Sequence, residues 1–347
     1  MRFLSRILLP FAWIFDLVTS LRNMLYDRGI IRSHTYGFPI ICIGNLSVGG
    51  TGKTPHTEYL IRLLQGHGYK VAVLSRGYRR KTKGFVLADG HSTAADIGDE
   101  PLQMYRKFKN LTVAVDADRH EGISILMHQK ERPDVILLDD AFQHRKVKAG
   151  LNILLTDIKR PYCNDSLMPS GRLRENKRGS KRADVVIVTK CQDNAVNQRT
   201  ATNIYLNLNI QDCQELFFSR MKYGQLSNGL ELSQLKDYAV LLVTGIANPH
   251  PLEDELRKHT QFKSIHYPDH HSFSNTDIRH IEQEFHSLEG NRKLILTTEK
   301  DFTRLSSRLN SSLSLCSIPI EIEILNDENE IFNQIILDYV RKDSGNS

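Results

Sequence analysis

Cysteine is scarce, and no two cysteines stand at C-x-x-C spacing. The five that occur, Cys42, Cys163, Cys191, Cys213 and Cys316, are odd in number and scattered, which argues against a disulfide framework or a zinc ribbon and fits reduced thiols in a cytosolic chain. Internal repeats and low-complexity tracts are also absent, leaving the composition of an ordinary folded protein, 40% hydrophobic and 25% charged. No apolar run reaches the ~20 residues that a membrane-spanning helix needs, because Asp16 ends the densest stretch, 7–15, at roughly half that length. No small-residue cleavage site follows it, which argues against a signal peptide. The basic runs lack the interleaved aromatics of a base-stacking platform, so nucleic acid is not an expected partner. Negative charge falls short of positive, giving +6 and a pI near 9.0, and this favours anionic partners without choosing between nucleotide, phospholipid headgroup and phosphorylated sugar.

The N-terminal 32 residues hold five arginines and two aspartates around that apolar stretch. At helical spacing Phe11, Ile14, Phe15, Val18, Leu21 and Leu25 share one face, and Asp16, Thr19, Ser20, Asn23 and Asp27 share the opposite one. Two placements satisfy such a helix. It can lie in a headgroup plane with Arg2, Arg6, Arg22 and Arg28 near phosphates, or it can pack its apolar stripe on its own protein.

A buried strand is expected over 38–43. It runs into Gly44-Asn45-Leu46-Ser47-Val48-Gly49-Gly50-Thr51-Gly52-Lys53-Thr54-Pro55, followed by a helix over about 56–65. Glycines 49, 50 and 52 let the backbone of residues 47–54 wrap a phosphate with its amides. Lys53 can then reach the β- and γ-phosphates of a nucleotide, and the Thr54 hydroxyl can ligate Mg²⁺. Ser47 stands where the P-loop pattern has its first glycine. A second acidic element is Asp134-Val135-Ile136-Leu137-Leu138-Asp139-Asp140, an apolar strand ending in two carboxylates where open α/β sheets place ligands. Asp139 or Asp140 would hold the metal, and Asp140 replaces the glutamate with which hydrolytic ATPases activate water. An acidic pair at a strand end can also simply cap a following helix.

Strands are further legible at 71–74, 111–115, 152–155 and 185–188. With intervening helices they imply an α/β chain whose core is a P-loop NTPase-like doubly wound parallel sheet. Val188-Thr189-Lys190 has the wrong spacing to Asp193 for a GTPase base-recognition loop. At 347 residues the chain exceeds one ordinary core. The pattern divides it into the N-terminal amphipathic helix, 1–35, a nucleotide-binding domain, 36–216, a β-hairpin linker, 217–236, and a smaller α/β domain, 237–347, with strands at 240–243, 294–296 and 318–322.

Transfer to a hydroxyl needs a group to take its proton. Asp99, in the turn Ile97-Gly98-Asp99-Glu100-Pro101, could be that base or the N-cap of the helix after it. Tyr267-Pro268-Asp269-His270-His271-Ser272-Phe273 pairs a carboxylate with histidines and suits either proton relay or polar surface. Arg76, Arg79, Arg80 and Lys81 follow one strand, and Arg172, Arg174, Lys177 and Arg178 another turn. Both runs suit phosphate recognition, and 178–182 reads as a solvated face.

Taken together these motifs resemble the tetraacyldisaccharide 4'-kinases, which phosphorylate the lipid A precursor. The resemblance covers nearly the whole chain. Beyond the loop of 44–55 it rests on Leu21-Arg22, Tyr26, Ser75-Arg76-Gly77-Tyr78, Gly98-Asp99-Glu100-Pro101, Asp139-Asp140-Ala141-Phe142-Gln143-His144-Arg145 and Leu173-Arg174-Glu175. It extends to Thr244-Gly245-Ile246-Ala247-Asn248-Pro249, Asp269-His270 and Thr298-Glu299-Lys300-Asp301. Ala141 departs from a usual glycine and Arg172 from a frequent proline. The resemblance implies ATP and Mg²⁺ as cofactors and a tetraacyldisaccharide 1-phosphate as acceptor. It implies Asp99 as base paired with His270, and Arg76, Glu100, Arg119, Gln143, His144, Arg174 and Glu175 as phosphate or substrate contacts. It also implies that the N-terminal helix anchors the chain to an anionic membrane, at the cytoplasmic face of the inner membrane. A P-loop ATPase or GTPase switch, and a soluble small-molecule kinase, are the alternatives.

Overall fold

The computed structural model describes residues 8–192, 196–269 and 271–344. They form two compact units: a larger one up to Met221 that resumes at Ile322, and a smaller one, Lys222–Glu321. The larger unit is built on a nine-stranded sheet. In spatial order its strands are β13 (Ile320–Ile324), β8 (Glu215–Tyr223), β7 (Val185–Thr189), β6 (Leu151–Asp157), β1 (Ile40–Asn45), β5 (Val135–Asp139), β2 (Val71–Ser75), β4 (Thr112–Val115) and β3 (Val86–Leu87). From β8 to β4 every neighbouring pair is parallel, and β3 joins antiparallel at the edge.

Strands β1, β2, β5 and β7 are buried along their whole length, which is why they read as continuous apolar runs rather than alternating ones. Alternate side chains go to opposite faces. Ile40, Cys42, Leu74, Ile136 and Leu138 enter one core with Ile123 and Leu126 of the helix Arg119–Met127. Ile41, Ile43, Val73 and Leu137 enter the other with Leu60, Ile61 and Leu64 of the helix Lys53–Gly66.

The chain divides differently from the expected boundaries. The helix Asn329–Ser344 belongs to the larger unit, because Phe332, Ile336 and Val340 form a stripe at helical spacing that is buried beside the Lys53–Gly66 helix. Tyr339 fixes it there: its hydroxyl accepts from Ile40 N (2.9 Å) and donates to Ile40 O (3.0 Å). The expected strand 318–322 is two strands, the first ending at Ile318 and β13 starting at Ile320, in different sheets. Pro319 lies between them and cannot donate to either ladder. In place of a hairpin linker over 217–236, residues 215–223 are β8, with Phe217 and Phe218 buried in opposite cores. The chain leaves the larger sheet on β8 and returns on β13, its neighbour.

The smaller unit has its own parallel sheet, in the order β10 (Phe262–His266), β9 (Ala239–Thr244), β11 (Lys293–Thr298) and β12 (Leu315–Ile318). Val240, Leu242, Leu294 and Leu296 fill one face, and Leu241, Val243 and Ile295 the other. All five cysteines are free. Among the described residues no helix is long and apolar enough to cross a membrane.

Replacing Tyr339 with phenylalanine removes both bonds to Ile40 and keeps the ring. We expect a loss of about 1–2 kcal/mol in urea unfolding of the larger unit. Unchanged stability would contradict this role for the C-terminal helix.

Candidate active site

The carboxyl ends of the central strands converge on one edge of the larger sheet. Strand β1 is pinned between β6 and β5, and its last residue, Asn45, opens the glycine-rich loop. Gly49 (φ +118°) and Gly52 (φ +87°) take backbone angles that side chains disfavour, and a Cβ on Gly52 would lie 2.8 Å from the Met221 methyl. The loop is held from beneath. Asn45 Nδ2 donates to Thr51 Oγ1 (2.7 Å), Thr189 Oγ1 donates to Thr51 O (2.9 Å), and the buried His56 ring contacts Gly52 O (2.7 Å) and Ser219 Oγ (3.0 Å). Burial pushes His56 down to about 4, so its ring stays neutral.

The helix starts at Lys53, three residues earlier than expected, with Gly52 as an N-cap that offers no side chain. Lys53 and Thr54 therefore sit in its first turn, where amides and dipole favour an anion. Gly50 has open space around it. Val48 differs from its expected role: its amide donates to Arg172 O (2.8 Å) and is not available to a phosphate. Ser47 is bridged to Leu173, and Arg174 N donates to Leu46 O (2.7 Å). Residues 172–174 thus form a strap along the start of the loop.

Asp139 is opposite Ile43 in register and buried, and accepts from Thr57 Oγ1 (3.2 Å). Burial raises its carboxyl above the ordinary range, Glu100 and Asp140 add to the rise, and Lys53 and Thr57 oppose it. Asp140 turns to a left-handed backbone (φ +48°), which aspartate tolerates better than most residues. Its Oδ1 meets Arg174 Nη1 at 2.8 Å and Lys53 Nζ at 3.7 Å. The pair caps no helix, since none begins between β5 and β6.

Gly77 (φ +69°) and Gly98 (φ +92°) bring the loop after β2 against the helix Asp99–Lys107: a Cβ on Gly77 would be 2.9 Å from Ile97 O, and one on Gly98 3.0 Å from Tyr78 O. Gly98 is the N-cap, so Asp99 is the first residue of this helix and not its cap. Glu100 lies near enough to Asp139 to raise its pKa. Glu58 ties this helix to the phosphate-loop helix, accepting from Gln103 Nε2 (2.8 Å) and Lys107 Nζ (2.6 Å).

Arg119 is buried. Its Nη1 donates to Asp116 O (2.9 Å) and Ala117 O (3.3 Å), and its Nε has no partner. Burial lowers its pKa, Asp139 and Asp140 oppose that, and the neighbouring charge of Arg76 adds to it. A buried guanidinium bonded only to carbonyls is a site for an anion. His144 is pushed down to about 4, by burial first and by Arg119 second, and its Nε2 is 3.8 Å from Asp118.

Gln143 and Glu175 meet at the base of the loop. Gln143 Nε2 donates to Asn45 O (2.9 Å) and Glu175 Oε1 (3.0 Å). Arg182 Nη2 reaches both oxygens of Glu175 (2.8 and 2.9 Å) and stacks over Phe142. The reading of 178–182 as a solvated face therefore fails at Arg182. Sequence inspection also missed His56, Thr57, Glu58 and Asn23, whose polar side chains on helices carried no local signal.

The helix Leu9–Asp27 seats its polar face on this cluster. Asn23 Nδ2 donates to Glu175 Oε2 (2.8 Å), Arg22 Nη2 to Gln143 O (2.6 Å), Asn176 Nδ2 to Asp16 Oδ1 (3.1 Å) and Arg145 Nη2 to Asp27 Oδ1 (2.7 Å). Its apolar face points outward, with Trp13 71% and Leu17 70% exposed beside Phe11, Ile14 and Val18. Arg2 and Arg6 lie outside the described residues, as do Asp193 and His270. In the smaller unit Asp269 pairs with Lys300 (3.1 Å), and His271 Nε2 with Asp277 Oδ2 (3.0 Å).

The family described as tetraacyldisaccharide-1-P 4'-kinase matches residues 4–341 of this chain. A tetraacyldisaccharide 4'-kinase of Bacteroides thetaiotaomicron is 50% identical over 98% of this chain and 94% of its own length. One from Flavobacterium johnsoniae is 45% identical over 99% of both. Among solved structures, the chain is similar to LpxK from Aquifex aeolicus in complex with ATP, with a TM-score of 0.76 and 28% identity over 97% of this chain and 99% of that one.

The neutral, buried His56 generates a pH dependence. Its folded value of about 4 lies below the 6.5 of a free imidazole, so the unfolded chain takes up the proton first as pH falls. His56 is therefore expected to cost up to about 3 kcal/mol of stability as pH falls from 6.5 to 4, beside a loss of the same sign from His144 and a gain from the raised Asp139. His56→Gln should remove the His56 part of that change, making the fall in denaturant-derived stability from pH 6.5 to 4 smaller than in wild type by up to about 3 kcal/mol, and an unchanged fall would contradict the assignment.

Proposed function

The chain belongs to the tetraacyldisaccharide-1-P 4'-kinase family, and on that premise we propose how its residues carry out the transfer. It is an ATP-dependent kinase of the 4'-hydroxyl of a tetraacyldisaccharide 1-phosphate, a lipid A precursor. The observation that carries the site assignment is the meeting of Lys53 and Arg174 on Asp140, at the end of the strand beside the phosphate loop.

The loop amides and the first turn of the Lys53–Gly66 helix bind the phosphates, and Lys53 follows the γ-phosphate. The acceptor oxygen attacks the γ-phosphorus, the bond to the β–γ bridging oxygen breaks, and its electron pair stays with ADP. Asp99 takes the proton of the hydroxyl. Arg119 and Arg76 neutralise charge on the transferring group, while Arg174 orients Asp140. Glu100, Gln143, His144 and Glu175 line or brace the same edge. The residues suit Mg²⁺: Thr54, Asp139 and Asp140 offer only oxygen, and the pKa of Asp139, raised first by burial and then by the charges of Glu100 and Asp140, marks a carboxylate that a dication would stabilise. When bound, Mg²⁺ would neutralise the β- and γ-phosphates.

The outward apolar face of the Leu9–Asp27 helix, flanked by Arg28 and Arg32, fits an anionic membrane surface, which we place at the cytoplasmic face of the inner membrane. An acceptor with acyl chains stays in a bilayer, so the enzyme must come to it. A nucleotide switch is not favoured. Asp140 occupies the position of a water-activating glutamate, and the curated relatives are named as kinases.

Asp99→Asn should lower kcat by about 10²–10⁴-fold while leaving ATP affinity intact, read by mass analysis of the phosphorylated lipid. Equal turnover would remove Asp99 as base. Trp13→Glu with Leu17→Glu should abolish co-sedimentation with anionic phospholipid vesicles and leave the circular dichroism spectrum unchanged. Retained sedimentation would contradict the membrane reading.

A further inference from the structure

The Leu9–Asp27 helix is two contacts from the phosphate site by two routes. In the first, Asn23 Nδ2 holds Glu175 Oε2 (2.8 Å), the adjacent Arg174 holds Asp140 (2.8 Å), and Asp140 faces Lys53 (3.7 Å). In the second, Arg22 holds the Gln143 carbonyl (2.6 Å), and the Gln143 side chain donates to Asn45 O (2.9 Å), where the glycine loop begins. The first route runs through the strap, whose residues 172 and 174 are paired backbone to backbone with Val48 and Leu46, and the second reaches the loop directly through Gln143. The strap cannot shift without moving the loop or Arg174.

The contact is selective in its chemistry. Glu175 is buried and already takes Arg182 on both oxygens and Gln143 on one. Asn23 adds a further donor from outside this cluster. Its amide must turn its NH₂ to the carboxylate, because the opposite orientation would set oxygen against oxygen, and its own Oδ1 is left buried without a partner. Removing Asn23 leaves Glu175 bonded to Arg182 and Gln143, so the cluster survives while the direct contact between Glu175 and the helix is cut and the helix keeps Arg22 on the Gln143 carbonyl.

We propose that Asn23 is a positioning residue for phosphoryl transfer: through Glu175 and Arg174 it makes the geometry around Asp140 and Lys53 depend on how the N-terminal helix is seated. This rests on the reading that the outer face of that helix lies on lipid. On that reading, contact with the surface that holds the acceptor also steadies the site that phosphorylates it. The helix is then part of the catalytic apparatus and not only an anchor.

The test uses the full chain as wild type, Asn23→Ala and Asn23→Gln, with the acceptor in detergent micelles and in anionic phospholipid vesicles. Asn23→Ala should lower kcat roughly tenfold, the effect of losing one hydrogen bond to a charged group. KM for ATP should change little, vesicle co-sedimentation should match wild type, and Asn23→Gln, which retains a donor, should restore at least half of the lost rate. A kcat for Asn23→Ala within twofold of wild type overturns the proposal. So does a loss of rate that tracks a loss of sedimentation, since anchoring alone would then explain it. If the wild type itself does not sediment, the lipid reading fails, and the micellar ratio of rates still decides the positioning role. Should Asn23→Ala not fold, Asp16→Ala, which cuts the bond to Asn176 on the same strap, should lower kcat in the same direction, and an unchanged kcat overturns the proposal equally.

Discussion

The Asp140 carboxylate is the contact on which the rest of the site depends. Three parts of the chain that are far apart in sequence meet at it: the phosphate-loop helix through Lys53, the end of strand β5 through its own backbone, and the strap through Arg174. None of these is aimed correctly by secondary structure alone. Strand β5 delivers Asp139 into a buried position, and the left-handed turn at Asp140 then swings the next carboxylate toward the cations. A side chain with a branched Cβ would resist that turn, and an uncharged one would leave Lys53 and Arg174 facing each other across a site built to attract anions.

Arrangement around this contact suits the proposal that one edge of the sheet binds a triphosphate and a hydroxyl together. Negative charge is concentrated in Asp139, Asp140 and Glu100, and positive charge in Lys53, Arg174, Arg119 and Arg76, on loops set by neighbouring parallel strands. Burial keeps the two sets interacting strongly. Arg119 is the clearest instance: it lies inside the protein, bonded to carbonyls, with Asp139 and Asp140 close enough to offset part of the cost of its burial. The N-terminal helix reverses the usual amphipathic arrangement, turning its polar residues to the protein and its apolar ones outward, which is the arrangement that the proposed contact with lipid requires.

The parts legible in sequence were those in which chemistry is contiguous. The loop from Gly44 to Pro55 and the strand ending in Asp139-Asp140 carry the chemistry proposed for them in adjacent residues, and the unbroken apolar strands announce a parallel sheet. Contacts between distant segments were hidden. Arg182 reads as surface charge until Glu175 and Phe142 fold against it, and Asn23 looks like one more polar helix residue until its partner, more than a hundred positions away, is in place. The domain boundary was missed for the same reason: the apolar stripe of the last helix shows that it is buried, but not against which sheet. The choice of face for the first helix was also open, since both placements bury an apolar stripe and only the polar contacts separate them.

The most direct measurement is calorimetric titration of ATP into folded Lys53→Ala beside wild type, with turnover assayed on the same preparations. The account predicts that affinity falls at least about tenfold and that turnover falls further, because the lysine acts on the phosphates both at rest and in transfer. A Lys53→Ala protein that binds and turns over ATP as wild type does would contradict it.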